Sequence, residues 1–293
     1  MRAAILALSA TLAACGGGDA PAAPEAPAPA PQTQAVDALH MYILDCGVVE
    51  VADLDIFSSA GDYAGMTDTF TDTCFLIRHP DGDLMWDLGL PGILAGGEPQ
   101  ADGVFTVSLE KTLTEQLNTL GLFPSDVEYV SISHSHFDHV GQIDQLQDAT
   151  WLVHEAEYLT MFPPTSDADE EVDQNAAQFI AFDVLQTTQF SGEYDVFGDG
   201  SVLIFETPGH TPGHTSLQVN LPETGPVLLV GDLYHREESR RLRRVPRFNA
   251  DEARTLASME AFEARADALG ATVIIQHDPG SVGALPQLPD ALR

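Results

Sequence analysis

Three histidines and one aspartate fall within six residues in His134-Ser135-His136-Phe137-Asp138-His139. Imidazole nitrogens and carboxylate oxygens are ligands that a borderline divalent metal such as zinc accepts. In an extended chain, side chains two apart share a face, so His134 and His136 can point to one side. Asp138 and His139 then turn off the strand end toward a neighbouring point. Four such groups at this spacing suit two adjacent metals better than one. Similar residues recur later in similar contexts: His210 and His214 in Thr207-Pro208-Gly209-His210-Thr211-Pro212-Gly213-His214, Asp232 after Gly231, and His277 before Asp278. That recurrence argues against a polar loop with chance histidines.

Each of these groups follows an apolar stretch. Val127 to Ile132 reads as a strand stopping at the histidine loop, and Val202 to Glu206, Val227 to Val230 and Thr272 to Ile275 read the same way. Earlier strands are expected at Met41 to Val51, Thr71 to Arg78 and Asp83 to Asp87, the last two joined by a hairpin at His79-Pro80-Asp81-Gly82. Helices are expected over Leu109 to Leu120, Gln142 to Gln147 and Glu252 to Leu269, with Gly121 and Gly270 as stops for the first and last. Glu155 to Phe190, with its acidic stretch Asp167 to Asp173, reads as mostly helical, either a cap over a pocket or outer-layer packing. The loop FSSAGDYAGM, with Phe57, Tyr63 and Met66, either covers a pocket or tucks onto the core. Strands and helices in this order, with a polar motif at each strand end, predict an α/β layered sandwich with its site along one edge of the sheets.

The 293 residues are 44% hydrophobic, enough for one large core. Acids outnumber bases by 45 to 12, a net charge of −33, which disfavours nucleic acid and anionic membrane surfaces as partners. Met1-Arg2 and the short apolar run Ala3 to Ala14 form a targeting signal, too short to span a bilayer as a mature helix. The run ends in Leu12-Ala13-Ala14-Cys15, which resembles the lipobox of bacterial lipoproteins. That resemblance makes residues 1–15 a signal peptide, Cys15 the lipid anchor and sole membrane contact, and the outer membrane facing the periplasm the expected location. Residues 16–37 are rich in Ala and Pro and read as a flexible tether, with the folded domain over 38–293. Cys46 and Cys74 either pair or remain buried free thiols, and no CxxC is present.

The ordered set HxHxDH, TPGHTPGH, an apolar strand ending in Gly-Asp and another ending in histidine resembles the metallo-β-lactamase superfamily. YILDCG, LIRHPDGDLMWDLGL, SHSHFDHVGQ and GDLYH bring the chain closest to its N-acyl-homoserine lactonase group. The resemblance covers residues 40 to 280. It implies an αββα sandwich and two divalent metal ions, usually zinc. His134, His136 and His210 would hold the first metal, Asp138, His139 and His277 the second, and Asp232 would bridge them. His214 would be a supporting histidine. Two close metals lower the pKa of a shared water and supply hydroxide at neutral pH. Asp138 would pass a proton to the leaving oxygen.

One position departs from the group. Many members carry a tyrosine three residues after the bridging aspartate, against the substrate carbonyl. Here that residue is His235, with Tyr234 one earlier, so either is a candidate catalytic donor, or Tyr234 faces the core. His40, His79 and His154 have no motif partner and read as surface or packing residues. The arginines at 240, 241, 243, 244 and 247 either rim the site and attract an anion or pair with the protein's own acids.

The expected activity is therefore opening of a lactone ring, foremost an N-acyl-homoserine lactone, which is quorum quenching. The expected partner is a small lactone or ester, and group members are often homodimers. A periplasmic metallo-β-lactamase is the alternative, although its subclass with similar histidines usually lacks a carboxylate at the position of Asp232. A glyoxalase II-like thioesterase fits less well, since residues 278–293 leave no room for that family's helical C-terminal domain. A non-enzymatic metal-binding lipoprotein would instead have a closed four-ligand site.

Overall fold

A computed structural model describes residues 36–164 and 179–293. The expected signal peptide, Cys15 and nearly all of the tether lie outside the described residues, as does the acidic stretch 167–173.

Two sheets carry the fold. The first has eight strands: β1 (His40–Val51), β2 (Asp68–His79), β3 (Gly82–Trp86), β4 (Gln100–Asp102), β5 (Phe105–Ser108), β6 (Tyr129–Ser131), β7 (Thr150–His154) and β8 (Gln186–Phe190), in the order β4-β5-β1-β2-β3-β6-β7-β8. The second has five: β9 (Tyr194–Asp195), β10 (Val202–Glu206), β11 (Thr215–Leu221), β12 (Gly225–Leu229) and β13 (Thr272–Ile274), in the order β13-β12-β11-β10-β9. Helices α1 (Leu113–Thr119), α2 (Glu155–Met161) and α3 (Ile180–Asp183) pack on the first sheet. Helix α4 (Glu237–Leu242) precedes the long α5 (Glu252–Leu269), which packs on the second sheet, and α6 (Pro279–Val282) follows β13.

Strand alternation sorts side chains among the layers. Met41 and Ile43 of β1 and Phe75 and Ile77 of β2 point between the sheets, where they meet Leu217, Val219, Val227 and Leu229. Leu44, Cys74 and Leu76 point the other way, onto Leu113, Leu117, Met161 and Phe182 of the helical layer. On the far side Leu228 and Val230 meet Met259 and Phe262 of α5. The result is helices, sheet, sheet, helices: the layered α/β sandwich that the strand and helix order predicts, in the αββα form that the family resemblance implies.

Two local expectations change and one open alternative is decided. The segment from Glu155 to Phe190 is not mostly helical where it is described. It has two short helices and then β8, because Thr187 and Thr188 belong to a strand pairing in parallel with β7. Gln142 to Gln147 narrows to a single 3-10 turn at Ile143–Gln145. The two open cysteines are paired: Cys46 and Cys74 form a disulfide joining β1 to β2. It lies beside a bulge between Asp45 and Gly47, and the Cys46 carbonyl accepts from Leu90 N–H in the segment after β3.

β3 and β6 run parallel in one sheet; β10, β12 and β13 share a direction in the other. Their carboxyl ends meet at one edge of the sandwich, and each releases its chain into a polar loop. That common edge is where the candidate site forms.

Candidate metal centre

The structure gathers all seven sequence-predicted ligand residues into two adjoining groups. His134, His136, His210 and Asp232 form one, and Asp138, His139 and His277 form the other; within each group, ligand-type atoms lie within 4.8 Å of one another. Asp232 lies between them. Its Oδ2 is 3.4 Å from His134 Nε2 and 3.2 Å from His210 Nε2, while its Oδ1 is 3.3 Å from His139 Nε2 and 2.9 Å from His277 Nε2. One carboxylate thus offers one oxygen to each group. His136 enters through Nδ1, 3.0 Å from His210 Nε2, and His277 Nε2 is 3.2 Å from His139 Nε2.

Imidazole nitrogens facing one another at these distances are not a self-sufficient arrangement, since a neutral imidazole supplies only one N–H. His134 Nε2 and Asp232 Oδ1 are buried with no hydrogen-bond partner. Buried polar atoms are normally satisfied, so convergent orphaned acceptors fit divalent cations between them. Nitrogen and oxygen donors without thiolate suit zinc, and also cobalt, manganese or iron.

Outer contacts fix each ring. His277 Nδ1 lies 2.8 Å from the Thr71 carbonyl and His210 Nδ1 lies 2.9 Å from Asn249 Oδ1. Asp87, directly after β3, has its Oδ2 3.0 Å from His139 Nδ1. The same carboxylate accepts from Ser133 N–H at 2.6 Å and from Gln276 Nε2 at 2.7 Å, so it ties the end of β3 to the ligand-bearing ends of β6 and β13. Its backbone sits at φ 58°, a left-handed conformation that aspartate tolerates better than most residues. Glu157 of α2 is buried and accepts from Ser135 N–H (2.7 Å), Ser135 Oγ (2.5 Å), Thr211 Oγ1 (2.7 Å) and Gly213 N–H (3.0 Å). It clamps the loop of His134 and His136 to the loop of His210. Such outer partners orient ligands and tune the metal.

Sequence reasoning did not single out Asp87, Glu157, Asn249 or Gln276. For Asp87 a signal was present, a charge wedged between apolar Trp86 and Leu88. Glu157 offered none, because a helix-borne acid usually faces solvent.

His214 belongs to neither group. Its Nδ1 faces Thr207 and its Nε2 accepts the Asp232 backbone N–H at 2.9 Å. A Cβ on Gly231, which has φ 60°, would come within 2.6 Å of that Nε2, so glycine is required for the close approach. His79 stacks on Phe197 and pairs with Asp199, and His154 pairs with Glu206, both away from the centre.

The two candidate donors separate. His235 Nε2 is 2.9 Å from Asp232 Oδ2 and its ring stacks on His277. Tyr234 is 1% exposed, packs on Phe262 in the α5 layer and bonds Glu263. Adjacent residues leaving β12 point to opposite sides, so Tyr234 is not a site residue; only His235 reaches the centre.

Electrostatics divide the histidines. Burial lowers His134 well below its ordinary value and brings His136 to about 3, with neighbouring imidazoles adding to the effect. Burial also opposes charge on His139 and His277. Carboxylates outweigh it, Asp87 and Asp232 raising His139 well above the usual range and Asp232 raising His277 to about 9. Burial pushes the Asp232 carboxyl up, but the imidazoles, His235 foremost, hold it well below the carboxylate range.

A cavity of about 290 Å³ opens onto the centre. His136, Asp138, Asp232, His235 and His277 form its polar floor. Its walls are Val49, Ile56, Phe57, Phe70, Phe105, Phe137 and Phe248, with no lysine or arginine among its lining residues. Phe57 lines this cavity while Tyr63 is tucked into the core, so the loop between β1 and β2 does both things its sequence allowed.

The arginines pair with the protein's own acids: Arg240 with Glu263, Arg241 with Glu238, Arg244 with Asp62 and Arg247 with Asp55. Arg243 bonds the Leu256 carbonyl.

The profile of the Metallo-beta-lactamase superfamily matches residues 68–277. The N-acyl homoserine lactonase AttM of Rhizobium radiobacter is 31% identical over 86% of this chain and 98% of its own. An N-acyl homoserine lactonase from a Bacillus species is 28% identical over 57% of this chain and 65% of its own. Among solved structures, a quorum-quenching N-acyl homoserine lactone hydrolase superposes with a TM-score of 0.73 at 23% identity, covering 88% of this chain and all of its own. The dizinc quorum-quenching lactonase AidC superposes with a TM-score of 0.64 at 18% identity over 83% and 90% of the two chains. These structural likenesses concern the fold. With a family match over most of the chain and two ligand clusters at the sheet edge, the chain belongs to the metallo-β-lactamase superfamily and is a metal-dependent hydrolase of it.

Proposed function

We propose that the protein opens the ring of N-acyl-homoserine lactones, a quorum-quenching activity, with two zinc ions as its metals. The observation that carries this reading is the juxtaposition of an apolar cavity with a polar floor that carries members of both donor clusters, His136 and Asp232 of one and Asp138 and His277 of the other. A small neutral ring fits against the floor, and an acyl chain fits the aromatic walls. The relatives of similar full length are N-acyl homoserine lactonases. A β-lactam is less suited, because its carboxylate would meet no cationic side chain among the lining residues.

His134, His136 and His210 would hold one ion, Asp138, His139 and His277 the other, with Asp232 offering an oxygen to each. When bound, such a pair acidifies water and polarises a carbonyl oxygen. The side chains do the rest. Phe57, Phe70 and Phe248 exclude bulk water from the floor and seat the acyl chain. His235, held through Nε2 on Asp232 Oδ2, lines the floor and fixes the orientation of that carboxylate. In the reaction a bond forms from water oxygen to the carbonyl carbon and the ring C–O bond breaks. The water proton passes through Asp138, whose carboxylate lines the cavity, to the leaving alkoxide oxygen. No serine or cysteine nucleophile is needed.

We also propose that Cys15 anchors the chain by lipid to the outer membrane, facing the periplasm. The sequence Leu12-Ala13-Ala14-Cys15 supports it, and so does the Cys46–Cys74 disulfide, which suits an oxidising compartment. Labelled palmitate should enter the wild-type chain and not Cys15→Ser; equal labelling would remove the anchor.

The activity is tested with zinc-loaded protein against homoserine lactones of several chain lengths, a carbapenem and a thioester. Lactone turnover should dominate. Fast carbapenem hydrolysis without lactone turnover would replace this reading with the β-lactamase one. Asp232→Ala should abolish turnover and lower metal content below two per chain.

A further inference from the structure

Two separate segments build the outer wall of the apolar cavity. Ile56 and Phe57 come from the loop between β1 and β2, and Phe248 from the stretch between α4 and α5. The rings of Phe57 and Phe248 meet edge to face with centroids 5.3 Å apart. Phe57 is buried against His235 at 4.8 Å, whereas Phe248 is 42% exposed at the mouth. The width of the outer cavity is therefore set by how these two segments are held together.

The fastening is largely one arginine. Arg247 directs its backbone N–H to the Ile56 carbonyl (2.7 Å), its Nε to the Ser58 carbonyl (3.1 Å) and its Nη2 to the Asp55 carboxylate. Arg244 adds a second clasp to Asp62, which also accepts from Ser58 Oγ. Ser59 N–H donates to the Val245 carbonyl at 2.8 Å. Arg247 and Asp55 flank the wall residues Phe248 and Ile56 in sequence, so their pair acts directly on the two sides of the gap. Neither touches the metal-ligand groups.

We propose that the Arg247–Asp55 pair, backed by Arg244–Asp62, determines chain-length specificity, holding Ile56, Phe57 and Phe248 at the spacing that grips the far end of an acyl chain. This rests on the lactonase reading for its substrate but not for its geometry. A long chain reaches the strapped mouth, whereas a short one ends on the inner walls. Loosening the strap therefore weakens long-chain substrates selectively. Arg247 and Asp55 are specificity-determining positions that do not contact the reacting atoms.

The test uses the zinc-loaded full chain with Arg247→Gln, Asp55→Asn and the double variant. KM is measured for decanoyl- and butanoyl-homoserine lactone. In parallel, binding of decanamide and butanamide, which are not lactones, is measured by calorimetry. The decanoyl KM should rise roughly threefold or more, in keeping with one partly exposed ion pair, with the butanoyl KM, kcat and metal content unchanged. The double variant should be no worse than the worse single one, as expected for partners in one interaction. Equal shifts for both chain lengths, or none, would overturn the proposal while leaving lactone turnover intact. If the parent opens neither lactone yet the variants lose decanamide binding selectively, the lactonase reading fails and the strap stands. Should Arg247→Gln fail to fold, Asp55→Asn reads the same pair from its other side.

Discussion

Nε2 of His235 lies 2.9 Å from Oδ2 of Asp232, the same oxygen that faces His134 and His210. His235 is thus tied to the carboxylate shared by both ligand groups. It reaches the floor by leaning on that carboxylate, and Tyr234 cannot replace it from the α5 layer.

His235→Ala should lower kcat/KM for a lactone by roughly tenfold to a hundredfold, the scale of losing one hydrogen bond to a charged group. His235→Tyr should recover part of the loss, because a phenol at the same position is also a donor. Steady-state kinetics with metal analysis separates the roles. An unchanged kcat/KM in the alanine variant would remove His235 from the chemistry.

Glu157→Ala leaves buried donors of Ser135, Thr211 and Gly213 without their acceptor. The expected destabilisation is about 3 kcal/mol, from charge-assisted hydrogen bonds lost in a buried setting. Metal affinity should fall with it, since the loops of His136 and His210 come apart together. Glu157→Gln keeps one acceptor oxygen and should lose about half as much. Denaturant melts and a zinc titration with a coloured competitor read both effects; an unaltered zinc affinity in the alanine variant would reduce Glu157 to a packing residue.

The raised values at His277 and His139 make a pH prediction for the metal-free protein. A histidine whose folded value is raised stabilises the fold fully below its unfolded value and loses that contribution as pH climbs through the folded value. For His277 that window runs from about 6.5 to about 9. Melting temperature of the chelator-treated protein should therefore fall across this window. Zinc addition at pH 7 should release protons, because the metal displaces them from His139 and His277, and release should shrink above pH 9. A flat melting profile with no proton release would contradict these charge states.

The Cys46–Cys74 link closes a 28-residue separation between the paired strands β1 and β2. Removing it with Cys46→Ser and Cys74→Ser together should cost about 2–4 kcal/mol, as for other native disulfides. Melting the oxidised and reduced protein side by side checks this, and identical midpoints would mean the bond adds nothing to stability.

The sequence by itself determined the layers and the donor inventory. Alternating apolar residues in Met41 to Val51 and Thr71 to Arg78, with a polar motif at each strand end, specify strands with two buried faces and a site at their carboxyl ends. His134, His136, Asp138 and His139 were legible because metal ligands need particular residue types at particular spacings; His210, Asp232 and His277 were legible through the ordered motifs that resemble the metallo-β-lactamase superfamily. Tertiary structure decided everything that depends on which strand ends become neighbours. Asp87, Glu157 and Gln276 act only once β3, β6, β10 and β13 converge, and no local pattern marks an acid that will be buried between two loops. Pairing of Cys46 with Cys74 required the register of β1 on β2. The choice between Tyr234 and His235 turned on how the chain leaves β12, where Gly231 at positive φ seats against His214 and turns one side chain inward and the next away. Residue type is local information, whereas the facing of one side chain at a turn is fixed by the packing around it.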